Sequence, residues 1–229
     1  MLADADLSGI ADLMSSHRAS MLLALIGGQP LSAGELAARA GISPSLASSH
    51  LSRLLDGGLV EVEQYGRRRV YRLANTQVAE VIEAMLRIAP TRVAANLRES
   101  RRGDAIRLAR TCYDHLAGEV GVALTESLQK QGLIDTGDAS YQLTGLGERR
   151  LATLGIDVAA LHAQRRAFAR PCLDWTERRP HLAGALGAAI AEQLLDLQWF
   201  TRLPSTRALR VTDLGRRGLL REFALNLAG

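Results

Sequence analysis

Two short helical patterns joined by a tight turn that contains a glycine constrain this chain more than any other feature of its sequence. Ser32 can cap a helix, and Glu35, three residues later, completes a capping-box pattern. Gly41 ends that helix. Ser43 followed by Pro44 starts another, because proline lacks an N–H that the first turn of a helix leaves unused anyway. The spacing predicts two helices joined by a tight turn, which is a helix-turn-helix arrangement.

The second of these helices, at about residues 43–56, has one apolar and one polar face. We expect four leucines to point inward, namely Leu46, Leu51, Leu54 and Leu55. The other face carries mainly short hydroxyls, which can approach a nucleic-acid groove closely and bond to phosphates and base edges. The sequence therefore predicts DNA contacts from Ser43, Ser45, Ser48, Ser49, His50 and Arg53.

Two runs of alternating polarity follow this helix, at residues 59–62 and 70–73, and predict a β-hairpin with its turn near Gly66. Its tip carries Arg67, Arg68 and Arg69, with Arg72 close behind. Arginine binds the phosphate backbone and is attracted by the negative potential of a narrow minor groove. We expect the wing tip, defined as Arg67, Arg68 and Arg69, to contact DNA.

Helix, turn, helix and hairpin, in this order across residues 16–74, resemble the ArsR group of bacterial repressors. The strings that carry the resemblance are HRASMLLALI, LSAGELAARAGISPSLASSHLSRLLDGGLVEV and YGRRRVYRLA. It implies a winged helix-turn-helix domain whose second helix enters the major groove of double-stranded DNA, and a homodimer that binds operators. It also implies dimerisation through helices at about residues 6–15 and 76–88, the latter with an apolar stripe of Val78, Ile82, Met85 and Ala89.

The chain departs from this family at the residues that sense metal ions. Many ArsR members carry a cysteine pair on the helix before the recognition helix, but AGELAARAG contains none. Others place His and Asp ligands on the helix after the wing, where TQVAEVIEAMLRI offers only glutamates. Because the chain is also much longer than minimal members, we expect its signal to be received in the C-terminal half.

Length and composition set the domain organisation and the fold class. A chain of 229 residues exceeds one core of roughly 100–150 residues, so we predict a DNA-binding and dimerisation domain at 1–96 and a sensing domain at 97–229. Three Phe, four Tyr and two Trp favour a mainly α fold with small β wings over a large sheet. No segment approaches the roughly 18 apolar residues of a membrane span, so we expect a cytoplasmic protein without membrane contacts.

The C-terminal half contains a weak internal repeat that aligns two HLAG strings. The copies cover about residues 105–151 and 167–219, and they end in the similar strings YQLTGLG and LRVTDLG. These strings resemble the second strand of a wing and the start of the following helix. We therefore predict two degenerate winged-helix-like units, each with the order helix, short strand, helix, around a shared pseudo-twofold core.

Both cysteines lie in this repeat, each upstream of a histidine: Cys112 precedes His115, and Cys172 precedes His181. On a presumed helix Cys112 and His115 would face the same side, and the four residues together could bind a tetrahedral thiophilic metal ion. Three other roles remain open, which are the packing of small buried side chains, a redox dithiol and a pocket for a small effector.

Trp175 and Trp199 stand out in this aromatic-poor chain, because they could line an organic-ligand pocket or pack in the core.

Two other classes of protein compete with a regulator. The sequence has no glycine-rich phosphate loop, no G-x-S-x-G elbow and no HExxH, so we expect no enzyme. A winged interaction or architectural protein that does not read DNA sequence is the alternative.

Overall fold

The computed structural model describes residues 15–66, 68–90 and 96–227. The chain forms two compact units, one ending at Met85 and the other beginning at Leu86. The division falls inside the helix that follows the wing, whereas the sequence placed it after residue 96. No helix among the described residues is both long and apolar enough to cross a bilayer.

The first unit is a helix-turn-helix followed by a wing. Its elements are α1 (Ser16–Leu25), β1 (Leu31–Ser32), α2 (Ala33–Ala40), α3 (Pro44–Asp56), β2 (Val60–Tyr65), β3 (Arg68–Leu73) and α4 (Thr76–Ile88). The three strands form one antiparallel sheet in the order β1-β3-β2. The short strand β1 was not predicted, because two residues are too few to show an alternating pattern.

The caps that the sequence predicts around the turn are confirmed. The Ser32 hydroxyl accepts a hydrogen bond from the Glu35 backbone N–H at 3.3 Å, and the Ser32 N–H donates to the Glu35 carboxylate at 2.8 Å. Gly41 ends α2 with a φ of +67°, and Ser43 caps α3 by accepting from the Leu46 N–H. These local bonds fix both ends of the turn and set the direction in which α3 leaves it.

The inner face of α3 differs from the prediction at one position. Leu51 and Leu54 are buried as expected and Leu55 is half-buried, but Leu46 is 41% exposed and Ala47 is fully buried in its place. Positions 47, 51 and 54 lie on one face of a helix, and residue 46 lies beside it. Leu46 therefore belongs to the outer surface of α3.

The second unit consists of two copies of hairpin, helix, hairpin, helix. The first copy contains β4 (Arg110–Cys112), β5 (His115–Ala117), α6 (Gly118–Lys130), β6 (Ile134–Thr136), β7 (Tyr141–Leu143) and α7 (Gly145–Thr153), after α5 (Leu97–Leu108). The second contains β8 (Arg170–Leu173), β9 (Pro180–Ala183), α9 (Gly184–Asp196), β10 (Phe200–Arg202), β11 (Leu209–Val211) and α10 (Asp213–Phe223), after the short α8 (Val158–His162).

The repeat is confirmed, but the predicted order of helix, strand, helix is wrong. The segments that carry the Cys and His residues form hairpins, because strands of three or four residues have no recognisable period. The wing-like strings are correct, since β7 and β11 are each followed directly by a threonine, Thr144 or Thr212, that caps the next helix.

The two copies are interleaved. Helix α6 packs on β9 of the other copy, and α9 packs on β5. The Leu209 N–H donates to the Ala109 carbonyl at 2.8 Å, and the Tyr141 N–H makes the matching bond to Ala169 at 3.1 Å. One hydrophobic cluster includes residues of both copies, which confirms the predicted shared core.

The glycine of each HLAG string explains why the string repeats. Gly118 and Gly184 have φ values of +81° and +88°, where residues with a Cβ are strained. A Cβ on Gly118 would also lie 2.4 Å from the Arg107 carbonyl oxygen, and one on Gly184 would lie 2.7 Å from that of Ala167. Only glycine permits the turn from the inner strand of each hairpin into its helix.

Candidate functional site

The outer surface of α3 carries the hydroxyls that the sequence predicts there. Ser45, Ser48 and Ser49, which we call the hydroxyl face, are exposed, and so is Arg53. The Ser48 hydroxyl donates to the Pro44 carbonyl at 3.0 Å. Ser43 is exposed as well, but its hydroxyl caps the helix. The hydroxyl face thus lies on a helix whose start is held by local bonds.

His50 meets the expectation of an outward position only in part. Its side chain is half-buried, with Nδ1 3.1 Å from the Arg18 guanidinium and its ring 5.6 Å from that of His17. Partial burial, followed by the charge of Arg18, lowers the pKa of His50 below its usual value. The imidazole is therefore neutral near pH 7, and its contacts link α1 to α3.

The wing carries exposed arginines, but the charge of one of them is balanced by ion pairs with glutamates. Arg68 and Arg69 are exposed, whereas Arg72 forms ion pairs with Glu61 at 2.5 Å and Glu63 at 2.7 Å. Arg67, the remaining member of the wing tip, lies outside the described residues. Arg68 and Arg69 are accordingly the described positive charges that the wing offers to an anion.

Helix α4 presents apolar side chains to solvent. Val81, Met85 and Ile88 are 54%, 38% and 85% exposed and follow a spacing of four and three residues, so they lie on one face. In the predicted stripe, Ile82 is buried instead and Val78 is half-buried. The other predicted dimer helix, residues 6–15, lies outside the described residues except for Ser15.

In the second unit, Cys112, His115, Cys172 and His181 come together as one buried cluster. Their candidate ligand atoms all lie within 4.8 Å of one another, and each residue is 9% exposed or less. The Sγ atoms of the two cysteines are 4.0 Å apart, and the Nε2 atoms of the two histidines are 3.2 Å apart. We call these four residues the Cys/His cluster.

Opposed hairpin positions build the cluster, and the predicted helix at Cys112 and His115 is wrong. Cys112 ends β4 and His115 begins β5, directly opposite it across a two-residue turn. Cys172 and His181 are opposite each other in the β8–β9 hairpin in the same way. A tight turn brings residues i and i+3 together as effectively as a helix does, so the spacing alone could not tell the two apart.

Both imidazoles are oriented by carboxylates on their outer side. His115 Nδ1 lies 3.1 Å from Asp114 Oδ1, and Asp114 in turn accepts from Arg166 at 2.6 Å. His181 Nδ1 lies 3.0 Å from Asp174 Oδ2, an ion-pair distance without the geometry of a hydrogen bond. In both histidines Nε2 is therefore the nitrogen that faces the cluster.

Asp174 is fully buried and is the centre of a polar network. It pairs with Arg110 at 2.7 Å and accepts hydrogen bonds from the backbone N–H groups of Gly118, Thr176 and Glu177. Burial alone would raise its pKa, but the contacts with His181 and Arg110 and the hydrogen bonds hold that pKa well below its usual range. Asp174 is thus an anion at all pH values near neutral.

The electrostatics of the cluster favour a thiolate. A hydrogen bond from Cys112, supported by His115 and His181, lowers the pKa of the Cys172 thiol to about 2 although burial opposes the shift. Burial would lower the pKa of His181, but its contacts with Asp174 and Cys172 raise it. Thiolate is the form in which cysteine binds metal ions and attacks disulfides.

Comparison with known proteins places the chain among regulators. A helix-turn-helix domain family model matches residues 13–63. The uncharacterized HTH-type transcriptional regulator YdfF of Bacillus subtilis is 45% identical over 212 residues, which cover 92% of this chain and 94% of YdfF. The chain belongs to the HTH-type transcriptional regulators. It is a DNA-binding protein of the winged helix-turn-helix fold, and its function is to regulate transcription.

Two other proteins match a smaller share of this regulator. The HTH-type transcriptional regulator YgaV of Escherichia coli is 34% identical over 73 residues, or 31% of this chain and 74% of YgaV. Reduced HlyU from Vibrio cholerae is 30% identical, covers 37% of this chain and 90% of its own, and superposes with a TM-score of 0.34.

The two tryptophans of the regulator have separate packing partners. Trp199 is buried in the core, where its ring meets Phe223 edge-on. The Trp175 ring lies under the Arg110 guanidinium at 5.1 Å, with its Nε1 buried and without a hydrogen-bond partner. Core packing, one of the two roles considered from the sequence, accounts for Trp199.

The polar partners of the cluster were not found from the sequence of the regulator. Arg110 and Asp174 are 64 residues apart, and Asp114 and Arg166 are 52 apart. One signal was available, since an aspartate follows each cysteine by two residues at Asp114 and Asp174. That repeat of Cys-x-Asp predicts matched acids near both histidines.

Proposed function

We propose that this regulator is a homodimeric repressor that binds operator DNA through α3 and the wing, and that a signal received at the Cys/His cluster changes its affinity for DNA. The observation that carries the proposal is the exposed hydroxyl face on α3, a helix that is capped by Ser43 and whose inner face is buried in the first unit. The exposed arginines of the adjacent wing support it. Such a surface matches a recognition helix in a major groove with a wing on the backbone.

The apolar face of α4 supports the homodimer. Val81, Met85 and Ile88 are exposed side chains of a kind that usually becomes covered, and the resemblance to ArsR proteins implies dimerisation at this helix. A dimer places two recognition helices in successive major grooves, about 34 Å apart.

The Cys/His cluster supports reception of the signal in the second unit. It is the place in the described residues where two cysteines and two histidines converge. Whatever binds there must interact differently with the DNA-competent and incompetent dimers, because equal affinity for both would shift neither population.

The wing is tested by its effect on the salt dependence of binding. A preferred duplex is first selected from a randomised DNA library and then titrated by fluorescence anisotropy at several salt concentrations. We expect the variant R67A/R68A/R69A to bind every duplex more weakly and to reduce the slope of log K against log salt by about 0.9 for each phosphate that the wing no longer neutralises. A matched control, R149A/R217A, removes exposed arginines of the second unit and should leave the slope unchanged.

The hydroxyl face is tested by its effect on sequence preference. Selection repeated with S48A and with S49A should return a changed consensus, because these side chains face the bases, while the salt slope stays the same.

An unchanged slope in the arginine variant would contradict the role of the wing. Equal binding of selected and scrambled duplexes by the unaltered protein would favour an architectural protein instead.

A further inference from the structure

We propose that the Cys/His cluster is a closed tetrahedral site for one divalent thiophilic cation of the zinc(II) type, and that the bound ion joins the two copies of the repeat. One cysteine and one histidine come from each copy. The regulatory role of the ion rests on the proposed function, whereas its binding does not.

Two of the distances within the Cys/His cluster already match a tetrahedral ion. Zinc–sulfur bonds of about 2.3 Å and zinc–nitrogen bonds of about 2.0–2.1 Å give tetrahedron edges of roughly 3.8 Å between sulfurs and 3.3 Å between nitrogens. The observed separations are 4.0 Å between the Sγ atoms and 3.2 Å between the Nε2 atoms. The other separations between ligand atoms are at most 4.8 Å, so the side chains need to close by no more than roughly 1 Å to surround an ion with these bond lengths.

The histidines are held in the orientation that a metal requires. Metal-binding imidazoles commonly give their outer N–H to a carboxylate, which fixes the ring and makes the inner nitrogen a better ligand. Asp114 and Asp174 occupy this position beside His115 and His181, at 3.1 and 3.0 Å. Two imidazole Nε2 atoms only 3.2 Å apart need a proton or a cation between them, because their lone pairs repel each other.

The charges around the cluster select a divalent ion. Asp174 is balanced by Arg110, and Asp114 is balanced by Arg166. Two cysteine thiolates would then leave a charge of −2 in a buried site, which a divalent cation neutralises. A monovalent ion such as copper(I) would leave an uncompensated negative charge, which is costly to bury.

The site has four protein ligands and little solvent access, so it lacks the open position of a catalytic metal centre. The ligands lie on short strands that are bonded in pairs, and these pairs belong to different copies. Binding of an ion therefore connects the copies at their pseudo-twofold axis. This closed geometry fits an ion that is sensed or that stabilises the fold, and not one that reacts.

The binding test uses the full-length protein, reduced and stripped of metal. Zinc is titrated against a chromophoric chelator, cobalt(II) is added separately to record tetrahedral d–d and thiolate charge-transfer bands, and zinc X-ray absorption counts the ligands. We expect one ion per chain, two sulfur and two nitrogen neighbours, and a tetrahedral cobalt spectrum. Each ligand variant should lower the affinity for zinc by more than the about 10–100-fold that is lost with an outer partner. These variants are C112S, C172S, H115N and H181N.

Two further variants keep the test informative if the ligand variants do not fold. D114N alters the partly exposed carboxylate beside His115 and should lower the affinity for zinc about 10–100-fold. D135N, at an exposed position of the same unit, should leave that affinity unchanged. H162N removes a histidine that stacks on Phe168, away from the cluster, and should bind zinc as the unaltered protein does. Circular dichroism confirms that each variant is folded.

Three results would overturn the proposal. The first is that the reduced protein takes up no zinc, and the second is that the folded variants C112S and C172S bind zinc as tightly as the unaltered protein does. The third is a Cys112–Cys172 disulfide as the only change that the cluster undergoes. DNA affinity is then compared between the zinc-loaded and stripped proteins. Equal DNA affinity with stoichiometric zinc overturns the sensing role in the proposed function and supports an ion that only stabilises the second unit.

Discussion

Asp174 has no contact with solvent, and its charge is maintained by partners from distant parts of the chain. Arg110 belongs to the first copy of the repeat, and Asp174 belongs to the second. The pair is thus a polar link across the pseudo-twofold axis. The sequence indicated the four residues of the Cys/His cluster because they are rare types in a repeated string. It could not indicate Arg110, because arginine is common here and its partner lies 64 residues away.

At this scale we predict that R110M destabilises the second unit by about 3–5 kcal/mol, because it leaves the buried Asp174 carboxylate without its cation. Both tryptophans of the chain lie in the second unit, so their fluorescence during urea unfolding reports on that unit. The control R179M breaks the exposed pair with Glu126 and should cost no more than about 1 kcal/mol. A similar cost for both variants would show that the buried pair is no more important than a surface one.

At the scale of elements, caps were predictable and short strands were not. The boundaries of α2 and α3 follow from Ser32, Gly41, Ser43 and Pro44, because capping depends on residues that are close in sequence. The hairpins of the second unit contain strands of three or four residues, whose existence depends on packing against the other copy. The HLAG strings showed that something repeats, but not that glycine marks a turn from a strand into a helix.

We predict that G118A and G184A each destabilise the second unit by more than about 1–3 kcal/mol, the usual cost of a left-handed backbone at a residue other than glycine. The additional cost arises because the new methyl group would overlap a carbonyl oxygen. G132A is the matched control, since its φ is +64° but no atom lies within 4 Å of the added Cβ. Tryptophan fluorescence in urea measures all three, and an equal destabilisation in all three would argue against the close approach.

At the scale of the molecule, the sequence predicted a DNA-binding unit followed by a repeated one, and both are present. The interleaving of the copies was not predictable, because a repeat in sequence is equally compatible with two units that lie side by side. That interleaving is what brings Cys112 within 4.0 Å of Cys172. The candidate ion site therefore depends on the arrangement of the copies and not on either copy alone.

A bound ion should stabilise the second unit selectively. Zinc at about 100 times its dissociation constant should add about 2.7 kcal/mol to the free energy of unfolding reported by tryptophan fluorescence. In hydrogen exchange of the full chain, the β4–β5 and β8–β9 hairpins should become more protected, while α3 is measured in the same sample for comparison. C112S should show no such gain, and a gain of equal size in C112S would place the ion elsewhere.

The interleaved packing of α6 and α9 also determines when the second unit can finish folding during translation. Helix α6 ends at Lys130, but β9, the strand on which it packs, ends at Ala183. At about 5–20 residues per second, the ribosome needs roughly 3–10 seconds to make the intervening chain. During this interval the first copy has an uncovered apolar surface and half of a cation site, so we expect the nascent chain at this stage to be the form that most needs a chaperone.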